Sequence, residues 1–257
     1  MHLKYKFFKH YIMKFLFVYA ICFALVAVPE SKSYEDGFDE IIVISDLREK
    51  NISTAATSME IINSEEIERR KAQHIDTLLS TVANVNFASG ASRGRFVQIR
   101  GIGERSQFVE PINPSVGVLL DGIDISGTNG AALTLDLDRI EILRGPQGTI
   151  NGANALAGLI NLKSNRPEAI KSGKLKIGFG NYEARTIDGS YSIPISETSK
   201  FRLAVGRTLN NGFMSNDFLD RDNTNNIDES AIKSMFDWQP TDNLTMESTL
   251  LRLDIDN

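Results

Sequence analysis

The sequence predicts a small mixed α+β domain followed by antiparallel strands of an incomplete transmembrane β-barrel. Up to about Pro167, helix signals and short strands are mixed with turn residues; beyond it, apolar and polar residues alternate with period two over successive segments. The connections of the later region also alternate in length. Ser196 to Lys200 and Gln239 to Asn243 are brief, whereas Leu209 to Glu229 is long and rich in Asn and Asp. Short turns on one side and long loops on the other are the habit of transmembrane barrels. A soluble antiparallel sheet with one face on a core remains the alternative on this pattern alone. With 42% apolar and 24% charged residues among 257, the chain can bury a core, and a net charge of -5 disfavours nucleic-acid binding as its main task.

In chain order, lysines 4, 6, 9 and 14 precede the apolar run FLFVYAICFALVAV and then small polar residues, the layout of a secretory signal. The run is short for a membrane span. Ser31 and Ser33 offer a cleavage site, so residues 1–33 read as a signal peptide; Met13-Lys14 would open an equally tidy one. Cys22, the only cysteine, leaves with that segment, which removes disulfides, thiol chemistry and cysteine metal sites from the mature chain. Next comes YEDGFDEIIVISDL, in which the β-branched run Ile41 to Ile44 favours an extended conformation. On its residues alone this is either the first strand of the following domain or a strand kept for a partner to pair with.

A short apolar run from Thr57 to Ile62 leads into Asn63-Ser64-Glu65-Glu66, an N-cap residue with a glutamate three positions on, which signals a helix start. A second helix is expected over Ile75, Leu78, Leu79 and Val82, with His74 beside it as a surface or cap residue. Short strands then follow at Val85 to Phe87, Phe96 to Arg100, Val116 to Ile125, Ile140 to Leu143 and Leu159 to Leu162, separated by turn signals. Beyond Pro167, Leu175, Ile177 and Phe179 alternate with polar or small neighbours. So do Ile187, Tyr191, Ile193 and Ile195, then Phe201, Leu203 and Val205, then Ile232, Phe236 and Trp238. A last, less regular run spans Leu244 to Ile255. Trp238, beside a short turn, suits an interfacial aromatic girdle.

Catalytic chemistry finds few parts here. EILRGPQGTINGANALAGLINL, residues 141–162, is glycine-rich, but lacks the lysine and spacing of a phosphate loop and leads into a strand rather than a helix. No nucleophile elbow occurs. Two of the three histidines lie in the signal segment, so metal ligation and histidine acid-base chemistry are unsupported. Asp136, Asp138 and Glu141 form an acidic group that reads as a solvated edge. Neither a cofactor nor a metal is expected, and the chain does not read as an enzyme.

These words carry a resemblance. DEIIVIS resembles a TonB box, and FVQIRGIG, VGVLLDGI and LDRIEILRGPQGTINGANALAGLINL resemble, in order and spacing, successive motifs of the plug domain of TonB-dependent outer-membrane receptors. The resemblance is close from Asp39 to Pro167 and looser over the following strands. It implies residues 34–50 as TonB box and linker, 51–167 as plug domain, and 168–257 as the N-terminal part of a truncated barrel. It implies energised uptake across the outer membrane of a large scarce nutrient such as an iron-siderophore complex. The alternatives are a plug-like secreted or periplasmic binding module, or a receptor fragment without function.

On the same resemblance, Asp39, Glu40, Ile41, Ile42, Val43, Ile44 and Ser45 are the strand that TonB of the inner-membrane energy-transducing complex pairs with. The box follows the signal at once, leaving no room for an extra N-terminal signalling domain. Arg100 and Arg144 are assigned to a lock between plug and barrel, with carboxylate partners expected on later barrel strands. The stretches Glu104 to Asn113 and Ser126 to Gly130 are expected to face the ligand, in particular through Arg105, Gln107, Asn113 and Asn129.

Overall fold

The computed structural model describes residues 42–45, 48–51, 58–89, 94–104, 113–126, 133–148, 154–218 and 220–256. The signal segment, Asp39 to Ile41, Arg105, Gln107 and Asn129 lie outside these residues. The β-branched run does form a strand, β1 (Ile42–Ser45), which pairs antiparallel with β2 (Arg48–Asn51) in a two-stranded sheet of its own.

The α+β domain is built on β3 (Ser58–Asn63), helices α1 (Ser64–Arg69) and α2 (Ile75–Leu79), and strands β4 (Val85–Ser89), β5 (Gly94–Ile99), β6 (Ile102–Gly103), β7 (Val116–Leu120), β8 (Ile123–Asp124), β9 (Leu137–Arg144) and β10 (Gly158–Ser164). Asn63 caps α1 as expected, its side-chain oxygen accepting from the Glu66 amide at 2.9 Å. His74 caps α2, accepting from the Asp76 amide at 3.3 Å, but it is fully buried rather than on the surface. Its backbone bridges to Leu133, which explains the burial. The expected strand from Val116 to Ile125 is two strands. Asp121 and Gly122 both take positive φ, 49° and 87°, and fold β8 back on β7. Asp-Gly is the hairpin turn pair, because both central residues of that turn need left-handed backbone.

Strands β3, β9, β10, β7 and β8 form one sheet in that order, antiparallel except for the parallel β7–β10 pair. Alternation along the strands sends Ile140, Ile142, Ile160, Leu162, Val116 and Val118 into one core with Ile67, Leu78, Leu79, Val97 and Ile99. The opposite face holds a smaller cluster, Leu143, Ala155 and Leu159. It also holds Glu141, which is buried and accepts from Arg139 Nε and Asn161 Nδ2, each at 2.8 Å. Of the acidic group, Asp138 is 45% exposed, but Glu141 is not on a solvated edge: its buried carboxylate needs cationic and amide donors to offset its lost hydration, and has them.

Beyond the domain, β11 (Ser172–Phe179), β12 (Arg185–Pro194), β13 (Ser199–Asn210), β16 (Ile227–Thr241) and β17 (Leu244–Asp256) form an antiparallel five-stranded sheet in that order. The long polar connection is less bare than expected, because it carries a hairpin of β14 (Met214–Asn216) and β15 (Arg221–Thr224). Outward positions are exposed and apolar, among them Leu175, Ile177, Phe179, Ile187, Leu203, Val205, Ile232 and Leu250. Inward positions are small, polar or charged and buried: Ser192, Arg202, Ala204, Thr208, Glu229, Ala231 and Lys233. Apolar outside and polar inside is the transmembrane barrel pattern, and strands of 10, 12, 15 and 13 residues suffice to cross a bilayer.

Candidate functional site

The glycine-rich stretch is a hairpin region and not a phosphate cradle. β9 and β10 pair antiparallel on either side of it, and the Gly145 and Gln147 amides donate to Ala157 O and Ala155 O, both at 2.9 Å. Gly145 turns the chain with φ 111°. Gly158 is glycine for a different reason. A Cβ there would lie 2.5 Å from Ile99 Cδ1 and 2.5 Å from Leu143 O, so the backbone passes where no side chain fits.

Arg144 ends β9 with its side chain 12% exposed. Its Nη2 donates to the Glu60 carboxylate on neighbouring β3, while its Nε is buried with no hydrogen-bond partner among the described residues. Arg100 sits in the turn between β5 and β6 with φ 54°; its amide donates to Asn84 O at 2.8 Å and the residue is exposed. The two arginines thus belong to different sheets. The carboxylate that meets Arg144 comes from the same domain, not from the barrel.

The described residues that flank the stretches expected to face a ligand are tied together by hydrogen bonds. Glu104 Oε1 accepts from the Ser115 amide at 3.0 Å and its hydroxyl at 2.8 Å, closing the root of the 105–112 loop beside exposed Asn113. Asp124 Oδ1 accepts from the Ser126 amide at 2.9 Å, and Asp124 Oδ2 accepts from Asn154 Nδ2, which ties the roots of two further loops. Ala157 N donates to Ser115 O at 2.8 Å and joins the first root to the third. Burial pushes the Asp124 carboxyl up, but the hydrogen bonds from Ser126 and Asn154 outweigh it and hold it below the usual carboxylate range. Sequence reading missed Asp124 and Asn154. Their pairing spans thirty positions of chain, and neither stands in a local pattern that signals it.

The domain also touches the inward face of the strand sheet. Gln73 Nε2 donates to Thr186 Oγ1 at 2.6 Å, and Glu68 of α1 pairs with Lys174 and Lys176 of β11. A folded α+β domain seated on the polar inner face of an apolar-outside strand sheet defines a plugged barrel protein of the outer membrane, here the plug and the first strands of its wall. Residues 51–159 match the family model described as the TonB-dependent receptor plug domain, and this segment is a plug domain of that family.

The chain is 25% identical to the pesticin receptor of Yersinia pestis over 166 residues, 64% of this chain and 24% of that protein. It is 23% identical to the vitamin B12 transporter BtuB of Vibrio cholerae over 181 residues, 68% of this chain and 28% of that protein. Of solved structures, the ferric yersiniabactin uptake receptor FyuA of Yersinia pestis is similar, with TM-score 0.69 and 22% identity over 77% of this chain and 31% of that one. The pyoverdine outer-membrane receptor FpvA of Pseudomonas aeruginosa gives TM-score 0.69 and 15% identity over 83% of this chain and 30% of that one. The chain spans about a quarter of the length of these curated relatives. The family consists of outer-membrane receptors and transporters, not enzymes.

Proposed function

We propose that this chain is the N-terminal portion of a receptor for energised uptake of a large scarce nutrient, with an iron-siderophore complex as the cargo. The observation that carries the reading is the joining of three parts in one chain: a β-branched strand, a folded plug, and wall strands against which the plug is seated. A barrel wide enough for such a cargo leaks unless a folded domain fills it. The similar structures named for ferric yersiniabactin uptake and for bound pyoverdine support the iron-siderophore class. The match to a vitamin B12 transporter favours vitamin B12 as the second cargo class.

In this reading Asp39 to Ser45 is the strand that TonB pairs with. Among the described residues β1 pairs only with β2, which leaves its other edge for an added strand. Arg100 and Arg144 hold the plug in the closed barrel, and the loops rooted at Glu104, Asn113 and Ser126, with Arg105, Gln107 and Asn129, meet the cargo. Capture of the chain on an immobilised TonB C-terminal domain tests the partner assignment. Ile42→Pro removes a backbone donor and should abolish capture while the plug stays folded; unchanged capture refutes it.

A further inference from the structure

At the end of the plug sheet opposite the loop roots, where β9 begins and β10 ends, the wall grips the plug through a buried ion cluster. Asp136, with φ 54°, receives a two-pronged bond from Arg202 of β13: Nε to Oδ2 at 2.7 Å and Nη2 to Oδ1 at 2.6 Å. These side chains are 8% and 6% exposed. Lys233 of β16, 2% exposed, donates to Leu135 O at 2.7 Å, Asp136 O at 3.2 Å and Ser164 Oγ at 2.7 Å, which uses all three of its protons. Ser164 Oγ passes the chain on to Asp121 Oδ2 at 2.7 Å. Two wall cations therefore face two plug carboxylates.

We propose that Asp136, Arg202 and Lys233 form a fixed anchor that seats the plug on the wall, in the opposite charge sense to the lock assigned to Arg100 and Arg144. Here the wall supplies the cations and the plug the carboxylate. A forked, desolvated pair is costly to open, because among the described residues Asp136 would keep only the Asn165 amide at 3.0 Å and Arg202 only the part-exposed Glu168 carboxylate at 3.4 Å and Ser190 Oγ at 3.2 Å. The ion pairs that α1 makes with the wall differ. Glu68, Lys174 and Lys176 are 37%, 53% and 46% exposed, a setting in which ion pairs contribute little. A cavity of about 610 Å³, lined by Glu68, Lys176, Thr186 and Asp188 among others, lies along the wall there. Every group of the anchor falls between Asp121 and Lys233. The inference does not depend on the cargo or on the box.

Hydrogen exchange of the full chain in detergent micelles, followed by mass spectrometry, tests it. Arg202→Met should raise exchange in residues 133–139 and 160–166 at least tenfold and leave β12 and β13 unchanged. Asp136→Asn should do the same, and the double variant should go no further than either single one. Unchanged exchange in the plug, an equal rise across the wall, or additive effects would each overturn the anchor. If Arg202→Met does not fold, Arg202→Lys keeps the charge and loses the fork. An intermediate rise confined to the same plug segments is then expected, and no rise overturns the proposal.

Discussion

Arg144 and Glu60 meet across β9 and β3, two neighbouring strands of the plug sheet, so a guanidinium that is mostly buried finds its carboxylate inside its own domain. Glu60 is 38% exposed, so solvent screens the pair, yet Arg144 Nε already lacks a partner among the described residues. Glu60→Gln should lower the unfolding free energy by about 1 kcal/mol, a charged hydrogen bond discounted for that exposure. Arg144→Met should cost less than Glu60→Gln, because it leaves no cation behind. Urea unfolding of the three proteins checks the order.

Gly158 and Gly148 separate two roles that look alike in the sequence. A Cβ at Gly158 collides with Ile99 and the Leu143 carbonyl, whereas one at Gly148 meets none of the described residues within 4 Å. Gly158→Ala should destabilise by about 1–3 kcal/mol through overpacking. Gly148→Ala should stay within about 0.5 kcal/mol. Thermal unfolding of both variants measures the contrast.

Asp124 sets a pH dependence of known sign. Its carboxyl, pushed up by burial but pulled further down by Ser126 and Asn154, lies below its unfolded value of about 3.9. A carboxyl held low stabilises the fold at pH above that unfolded value, and the contribution is lost as pH falls through the folded one. Stability of the chain should therefore fall in acid more steeply than that of Asp124→Asn. Asn154→Ala should move the Asp124 titration up towards its ordinary range, as read from the carboxyl carbon by NMR.

Trp238, the only tryptophan, lies outward on β16 next to the short turn into β17 and is 41% exposed. An interfacial position predicts quenching of its fluorescence by lipids brominated near the headgroup, and weaker quenching by lipids brominated near the chain ends. Equal insensitivity to both would remove the strand from the membrane.

Much of the fold was legible because it rests on local rules. Period-two alternation told the wall's faces apart, and Asn63 with Glu66 marked the start of α1. The Asp121-Gly122 pair is a local turn signal too, although it stands inside an apolar run that otherwise favours one continuous strand. His74 was right as a cap and wrong as a surface residue, since its burial comes from the pairing with Leu133, far along the chain. The anchor was legible only by halves. Arg202 and Lys233 fall on the polar side of the alternation in their strands, but no local pattern links them to Asp136 or Ser164. Long-range electrostatic pairs depend on topology, which spacing alone does not encode.

Backbone hydrogen exchange at residues 42–45, with and without added TonB C-terminal domain, tests the uptake reading most directly. The account predicts new protection confined to this strand and its flanks, absent in Ile42→Pro. Exchange at 42–45 that does not change on adding the domain would contradict it.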